Sequence, residues 1–187
     1  EMTGTKHKPK PYVSAKWRRI LACVVLFFLF SFLGWCWEKF YFYLVYGINA
    51  DRGFLTLPFC TVYGSALLLI RAALKLPDPE RTYPRNMFGF VFYASLIATA
   101  VELSTGLFFE QVFGVSLWTY RGFSHVYQDY VCLSVSVAWG ALIGIFMAGV
   151  WAPLERRLSK IRPTVLFWVG GVLTLCVAFD FFLTAFL

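Results

Sequence analysis

Two glutamates in otherwise apolar stretches are the residues best able to do chemistry. Glu38 has Trp35, Gly34 and Ser31 three, four and seven residues before it, and Glu102 has Thr99, Ala98 and Ser95 behind it and Thr105 and Gly106 ahead. On helices these offsets fall on one face, so each acid heads a small and polar stripe. An ionisable side chain in hydrocarbon costs about 2.5–3.5 kcal/mol on insertion scales, so each needs a reason. A pair of such acids can bind a cation or amine, carry a proton, or lock a bundle through a cation or a tyrosine hydroxyl. Glu110 lies two turns beyond Glu102, Asp180 stands in a last apolar block, and Arg52 is the cation well placed to neutralise Glu38 or Glu102. Tyr63 shares a helical face with Cys60 and Gly64, while Trp118 belongs to an aromatic stretch between Gln111 and Asp129. That stretch is long for a simple connection and is expected to lie on a surface or fold back over the mouth of a bundle. The same residues read blandly as interfacial anchors or as satisfied buried acids.

What must position these residues is a membrane bundle. Of 187 residues, 59% are hydrophobic and only 14% charged, against about 25% charged in an ordinary soluble domain. Mean hydropathy is +0.67. With 21 Phe, 10 Tyr and 7 Trp, far too much surface needs burial for a disordered chain. Five segments are apolar and long enough to be read as spanning helices: about Ile20 to Tyr46, Pro58 to Leu74, Asn86 to Phe109, Tyr130 to Leu154 and Pro163 to Leu187. The first is too long for a signal peptide and holds the Glu38-Lys39 pair. Residues 1–16 read as a disordered basic tail and residues 17–187 as one all-α polytopic domain of five transmembrane helices.

The net charge of +7 comes from basic residues that flank apolar blocks, which points to membrane surface and away from nucleic acid. Fourteen of the 17 basic residues precede the first segment, fall in the last turn of segment two or between it and segment three, or fall between segments four and five. The positive-inside bias then predicts the N-terminus in the cytoplasm, the C-terminus outside, and a multi-pass protein of the inner or plasma membrane. Glu38, Asp51, Glu102, Glu110, Asp129 and Asp180 all fall towards the outer side.

Ser136, Gly140 and Gly144 form a row at four-residue spacing that lets a neighbouring helix approach closely. Five cysteines without a CxxC read as small packing residues, although Cys60 and Cys132 both fall near the outer side, where a disulfide would be geometrically feasible. His125 stands alone, and no metal or cofactor is expected. There is no Walker motif, GxSxG, HExxH or Gly-rich nucleotide loop, so an ATP-driven role would need a partner subunit.

Several runs resemble a known family. Phe30-Ser31-Phe32-Leu33-Gly34-Trp35 with Glu38, then Arg52-Gly53-Phe54-Leu55, Pro58, Cys60, Tyr63 and Gly64, are similar to a bacterial membrane family labelled ABC-transporter type IV, or CmpB-like permease. Glu102, Thr105-Gly106, Glu110, Phe113-Gly114, Trp118, Tyr120, Cys132-Leu133 and Ser136 through Trp139-Gly140 continue the resemblance, over about Leu26 to Pro153. The chain departs from it at Thr119-Tyr120-Arg121 and at Gln128-Asp129-Tyr130. The resemblance implies transport.

The leading expectation is therefore a transporter or permease-like component. It has an outward-facing acidic cavity lined by Glu38, Glu102, Tyr63 and Arg52 and capped around Trp118, for a small cationic or protonated solute. Its expected partners are the lipid bilayer, an ATPase or other membrane subunit, and a second copy of the chain. The alternatives are a membrane enzyme acting on lipid-linked substrates at the outer leaflet, with Glu38 and Glu102 as general acid and base, and a scaffold subunit of a membrane complex.

Overall fold

The computed structural model describes residues 14–49, 53–74 and 85–186, so the basic tail before Ser14 and the expected site residue Arg52 lie outside the described residues. The chain forms α1 (Ala15–Tyr46), α2 (Thr61–Ala73), α3 (Arg85–Phe113), a two-stranded hairpin of β1 (Val126–Tyr127) and β2 (Val131–Cys132), α4 (Leu133–Phe146), a π-turn at Met147–Trp151, α5 (Ala152–Leu158) and α6 (Pro163–Phe186). α4, the π-turn and α5 run on as one apolar helix, Leu133–Leu158. With α1, α3 and α6 this makes four helices long and apolar enough to cross a membrane. The shorter α2 completes an all-α bundle of five.

Local chemistry sets the ends. Ser14 caps α1 by accepting from the Trp17 N–H, and Gly47 closes it in the left-handed region (φ 65°), donating its N–H to the Tyr43 carbonyl. At 32 residues α1 is about 48 Å long, more than a bilayer's hydrocarbon requires. α2 is only 13 residues, about 20 Å, and starts at Thr61, three residues after Pro58. The stretch before it cannot be helical because its backbone N–H groups are already used. Leu57 donates to the Asp180 carboxylate, Phe59 to the Leu57 carbonyl and Cys60 to the Ser31 carbonyl in the middle of α1. An irregular segment, residues 53–60, therefore descends to the mid-depth of α1 before α2 begins. Non-helical backbone at that depth is tolerated only where protein satisfies it.

The π-turn has an identifiable cause. Pro153 has no N–H to give to the turn before it, and the helix widens there, with Ala152 donating to the Met147 carbonyl five residues back. Met147 and Trp151 are fully buried in a core with Leu26, Phe30, Ile70, Phe90, Ala94 and Ile143. Trp151 stacks on Phe30 at 5.6 Å.

Glycine contacts fix the register. Gly140 faces Ser95 and Gly144 faces Val91 and Met87, so α3 and α4 are antiparallel and close along the small-residue row. Gly34 receives the Tyr63 ring, and Gly64 sits on Ser31 and the Phe27 carbonyl, so α1 and α2 are antiparallel too. Gly170 against Val24 sets α6 parallel to α1. The N-termini of α1, α3 and α6 and the C-termini of α2 and α5 thus share one end. Among the described residues it carries Lys16, Arg18, Arg19, Arg71, Arg156, Arg157, Lys160 and Arg162. We call it the basic end, and the opposite one the far end.

Candidate functional site

The far end is organised around two tyrosine–glutamate pairs. Tyr63 on α2 donates to Glu38 Oε1 on α1 at 2.9 Å. Its ring reaches that carboxylate because Gly34 presents no Cβ, and the edge of its ring meets Trp139 of α4 at 5.8 Å. Tyr120 donates to Glu102 Oε1 on α3 at 2.6 Å. Tyr120 comes from the loop after α3, which folds back onto the bundle. Its N–H donates to the Asp129 carbonyl, Trp118 Nε1 donates to the Tyr130 carbonyl, and the buried Tyr130 ring lies on Gly106.

The hairpin that presents these residues turns through Gln128 and Asp129, both left-handed (φ 53° and 59°), with His125 left-handed just before it (φ 58°). Such a conformation is uncommon outside glycine and marks a tightly determined loop. Arg121 donates to Asp129 at 2.6 Å in an exposed pair at the rim.

Burial, then the bond to Glu102, then the negative charges of Glu102 and Glu38, push the Tyr120 hydroxyl above the ordinary tyrosine range. Glu38 therefore lies within electrostatic reach of the Tyr120–Glu102 pair. The arrangement is two carboxylates, each accepting from a phenol O–H.

Beside this network lies a cavity of about 360 Å³ between α1, residues 53–62, α3, the Leu117-Trp118 turn and α6. Its wall is mostly aromatic and aliphatic, with Glu38 as the one acid on it among the described residues and Thr61, Thr105 and Thr174 as further polar residues. Phe54 contributes to the wall and packs on Phe109, Phe113 and Phe181 at 4.8, 5.0 and 5.5 Å.

Of the expected site residues, Glu38 and Trp118 line this cavity, while Tyr63 and Glu102 stand behind the wall in hydrogen bonds. Glu110 is exposed on the last turn of α3. The wall around Glu38 is mostly aromatic among the described residues. Ser136 is buried with no hydrogen-bond partner for its hydroxyl, and Gly140 and Gly144 lie against α3. No disulfide joins Cys60 and Cys132.

Sequence reasoning did not find two arrangements. The first is Asp180, 6% exposed, whose carboxylate accepts from the Thr56 hydroxyl and the Leu57 N–H and so pins the irregular segment to α6. The charge in an apolar helix was visible, but a backbone donor leaves no mark in a sequence. The second is at the basic end. Arg71 of α2 donates through Nε and Nη2 to both oxygens of Glu155 at 2.6 and 2.8 Å, and Trp151 Nε1 adds a third bond at 2.9 Å. Both charged residues read as loop-flanking charges, and the π-turn that swings Trp151 and Glu155 inward has no simple signature.

No curated protein and no solved structure is significantly similar to this chain. Residues 25–185 match the family described as "Putative ABC-transporter type IV". With a bundle of four bilayer-length helices and a match over most of its length, the chain is a multi-pass membrane protein of the ABC-transporter type IV family.

Proposed function

We propose that the chain is the membrane-spanning component of a transporter and that the cavity beside Glu38 is its solute site. The observation that carries this reading is Glu38 itself, which lines a cavity of about 360 Å³ and accepts a hydrogen bond from Tyr63. Such a site suits a solute that brings a positive charge or a hydrogen-bond donor. Arg52, at the hinge before residue 53, is its proposed counter-charge, and Trp118 its cap.

The positive-inside bias supports a basic end in the cytoplasm and a far end outside the cell membrane. An ATPase subunit, another membrane subunit or a second copy of the chain would supply what the bundle lacks for driven transport. Labelling of a Thr5→Cys variant by an impermeant maleimide from outside intact cells would refute the orientation.

Solute flux into proteoliposomes, with the chain alone or with its ATPase, tests the function. Glu38→Gln and Glu102→Gln should abolish flux while expression and melting temperature stay nearly unchanged. Undiminished flux in Glu38→Gln would refute the site. The apolar wall favours one second reading, an enzyme at the outer leaflet with Glu38 and Glu102 as general acid and base. That reading requires altered lipid products in the absence of any gradient.

A further inference from the structure

Independently of what the cavity carries, we infer that the basic end is a binding surface for an anionic phospholipid. Its phosphate sits among Lys16, Arg157, Lys160 and Arg162, where the first turn of α1 meets the turn between α5 and α6. α1 packs on both α5 and α6. The contact of Gly170 with Val24 sets the level of α6 against α1. Trp17 and Pro163 are each seven residues before that contact on two parallel helices, so they stand at one level. Arg162, next to Pro163, is therefore level with Lys16, with Lys160 in the same short turn and Arg157 on the last turn of α5. All four residues are exposed.

Charge and depth both point to a lipid. Among the described residues Glu155 is the one acid at this end, and it is buried and bonded to Arg71 and Trp151. Among those residues no carboxylate forms an ion pair with any of the four cations, so their charge is uncancelled. Each Lys or Arg held near an anionic leaflet strengthens attachment about fivefold. Phosphate fits the donor set, since Arg157 and Arg162 can each fork two of its oxygens while the lysines act as point charges. As to depth, the exposed Trp17 and Trp37 of α1 lie about 30 Å apart along its axis, the thickness of the hydrocarbon. Exposed indoles at that separation mark the two interfaces, so the cation layer at Trp17 is level with headgroups and not beyond them. Ile20 and Ile161, each 40% exposed, add apolar surface to the same layer. A soluble acidic protein would have to displace headgroups to cover it, whereas a lipid brings its phosphate to that level and its chains beside the helices.

The test ejects the full chain from nanodiscs of equal parts phosphatidylcholine and phosphatidylglycerol and reads the retained lipids by native mass spectrometry. Retained phosphatidylglycerol should exceed phosphatidylcholine at least fivefold. Combining Arg157→Gln, Lys160→Gln and Arg162→Gln should bring that ratio below twofold at an unchanged melting temperature. Arg121→Gln, at the rim of the far end, should leave it as in the wild type. Nanodiscs held at about 1 M salt, where the Debye length falls to about 3 Å, should give a wild-type ratio at least twofold lower. Glycerol phosphate, the head without the chains, should displace less than half of the retained phosphatidylglycerol. The salt and competition series use the unaltered chain and stand even if the triple variant fails to fold.

Equal retention of the two lipids by the wild type would overturn the inference, as would a folded triple variant that keeps the full ratio or a wild-type ratio indifferent to salt. Complete displacement by glycerol phosphate would overturn it in favour of a site for a soluble phosphate. Cross-links from Lys160 to an acidic protein in place of lipid would overturn it in favour of a protein-docking surface.

Discussion

The two ends of the bundle hold their acids with different donors. At the basic end Glu155, 5% exposed, receives a two-pronged guanidinium and an indole N–H, so its charge is matched by charge. The surrounding core, with Trp151 stacked on Phe30, is closely filled. At the far end Glu38 and Glu102 each accept a hydrogen bond from a phenol, and a cavity lies alongside. A guanidinium fork both neutralises and fixes its carboxylate, whereas a phenol fixes a carboxylate through one neutral bond. The contrast is between a closely filled region and one with a cavity beside its acids.

The sharpest way to break this contrast is to remove one partner of the compensated pair. Arg71→Met should lower stability by about 3 kcal/mol in detergent melts, because it leaves Glu155 buried without its cation. Adding Glu155→Gln should recover part of that loss. A fall below about 1 kcal/mol would show that the basic end is no lock.

Next comes Gly64→Ala, whose new Cβ would overlap the Ser31 hydroxyl and the Phe27 carbonyl, at a cost of about 2 kcal/mol from overpacking. Gly171→Ala in α6 meets open space and should instead stabilise by up to about 1 kcal/mol through helix propensity. Equal effects of the two would remove close approach as the reason for Gly64.

Asp180→Asn weakens the acceptor of the Leu57 N–H and should cost about 1–2 kcal/mol. Its clearer signal is hydrogen exchange at the Leu57 amide, expected to speed up at least tenfold with no change in α5. Unaltered exchange there would mean that the irregular segment is held by something else.

The smallest effect belongs to Tyr120→Phe, about 1 kcal/mol at neutral pH. The Tyr120 pKa is raised in the fold above its ordinary value of 10.0, so its contribution is present below that pH and fades as pH rises past it. The stability difference between wild type and Tyr120→Phe should therefore shrink between pH 9 and 11. A difference that grows over that range would contradict the burial of the hydroxyl.

Much of the architecture was legible because a bilayer imposes length and composition on whatever crosses it. The long apolar blocks and the basic flanks at Lys16, Arg18, Arg19, Arg156 and Arg157 announce helices and their ends directly. The small-residue row Ser136, Gly140 and Gly144 likewise announces a close neighbour, and the fold supplies α3. The irregular segment was not legible. Pro58 reads naturally as the first turn of a helix, and only the distant Asp180 and Ser31 explain why the helix waits until Thr61. Glu38 and Glu102 could be chosen from their cost in hydrocarbon, and Tyr63 grouped with them, but Tyr120 as the partner of Glu102 could not. Tyr120 reaches Glu102 through a fold-back held by main-chain bonds and a ring on Gly106, none of which depends on a recognisable motif.

The bond from Asp180 to the segment before α2 also has a consequence for how the protein is made. Thr56 and Leu57 precede their carboxylate partner by 124 and 123 residues. At about 5–20 residues per second, roughly 6 to 25 s of synthesis separate the two. During that interval a helix of only 13 residues, too short to hold its place across a bilayer alone, follows a stretch whose amides have no final acceptor. α1 can shelter it through the Ser31 carbonyl, but the hinge closes only when α6 enters. Assembly is thereby ordered by time as well as by space, and a nascent chain stalled ahead of α6 would present insertion and surveillance machinery with an unfinished membrane segment.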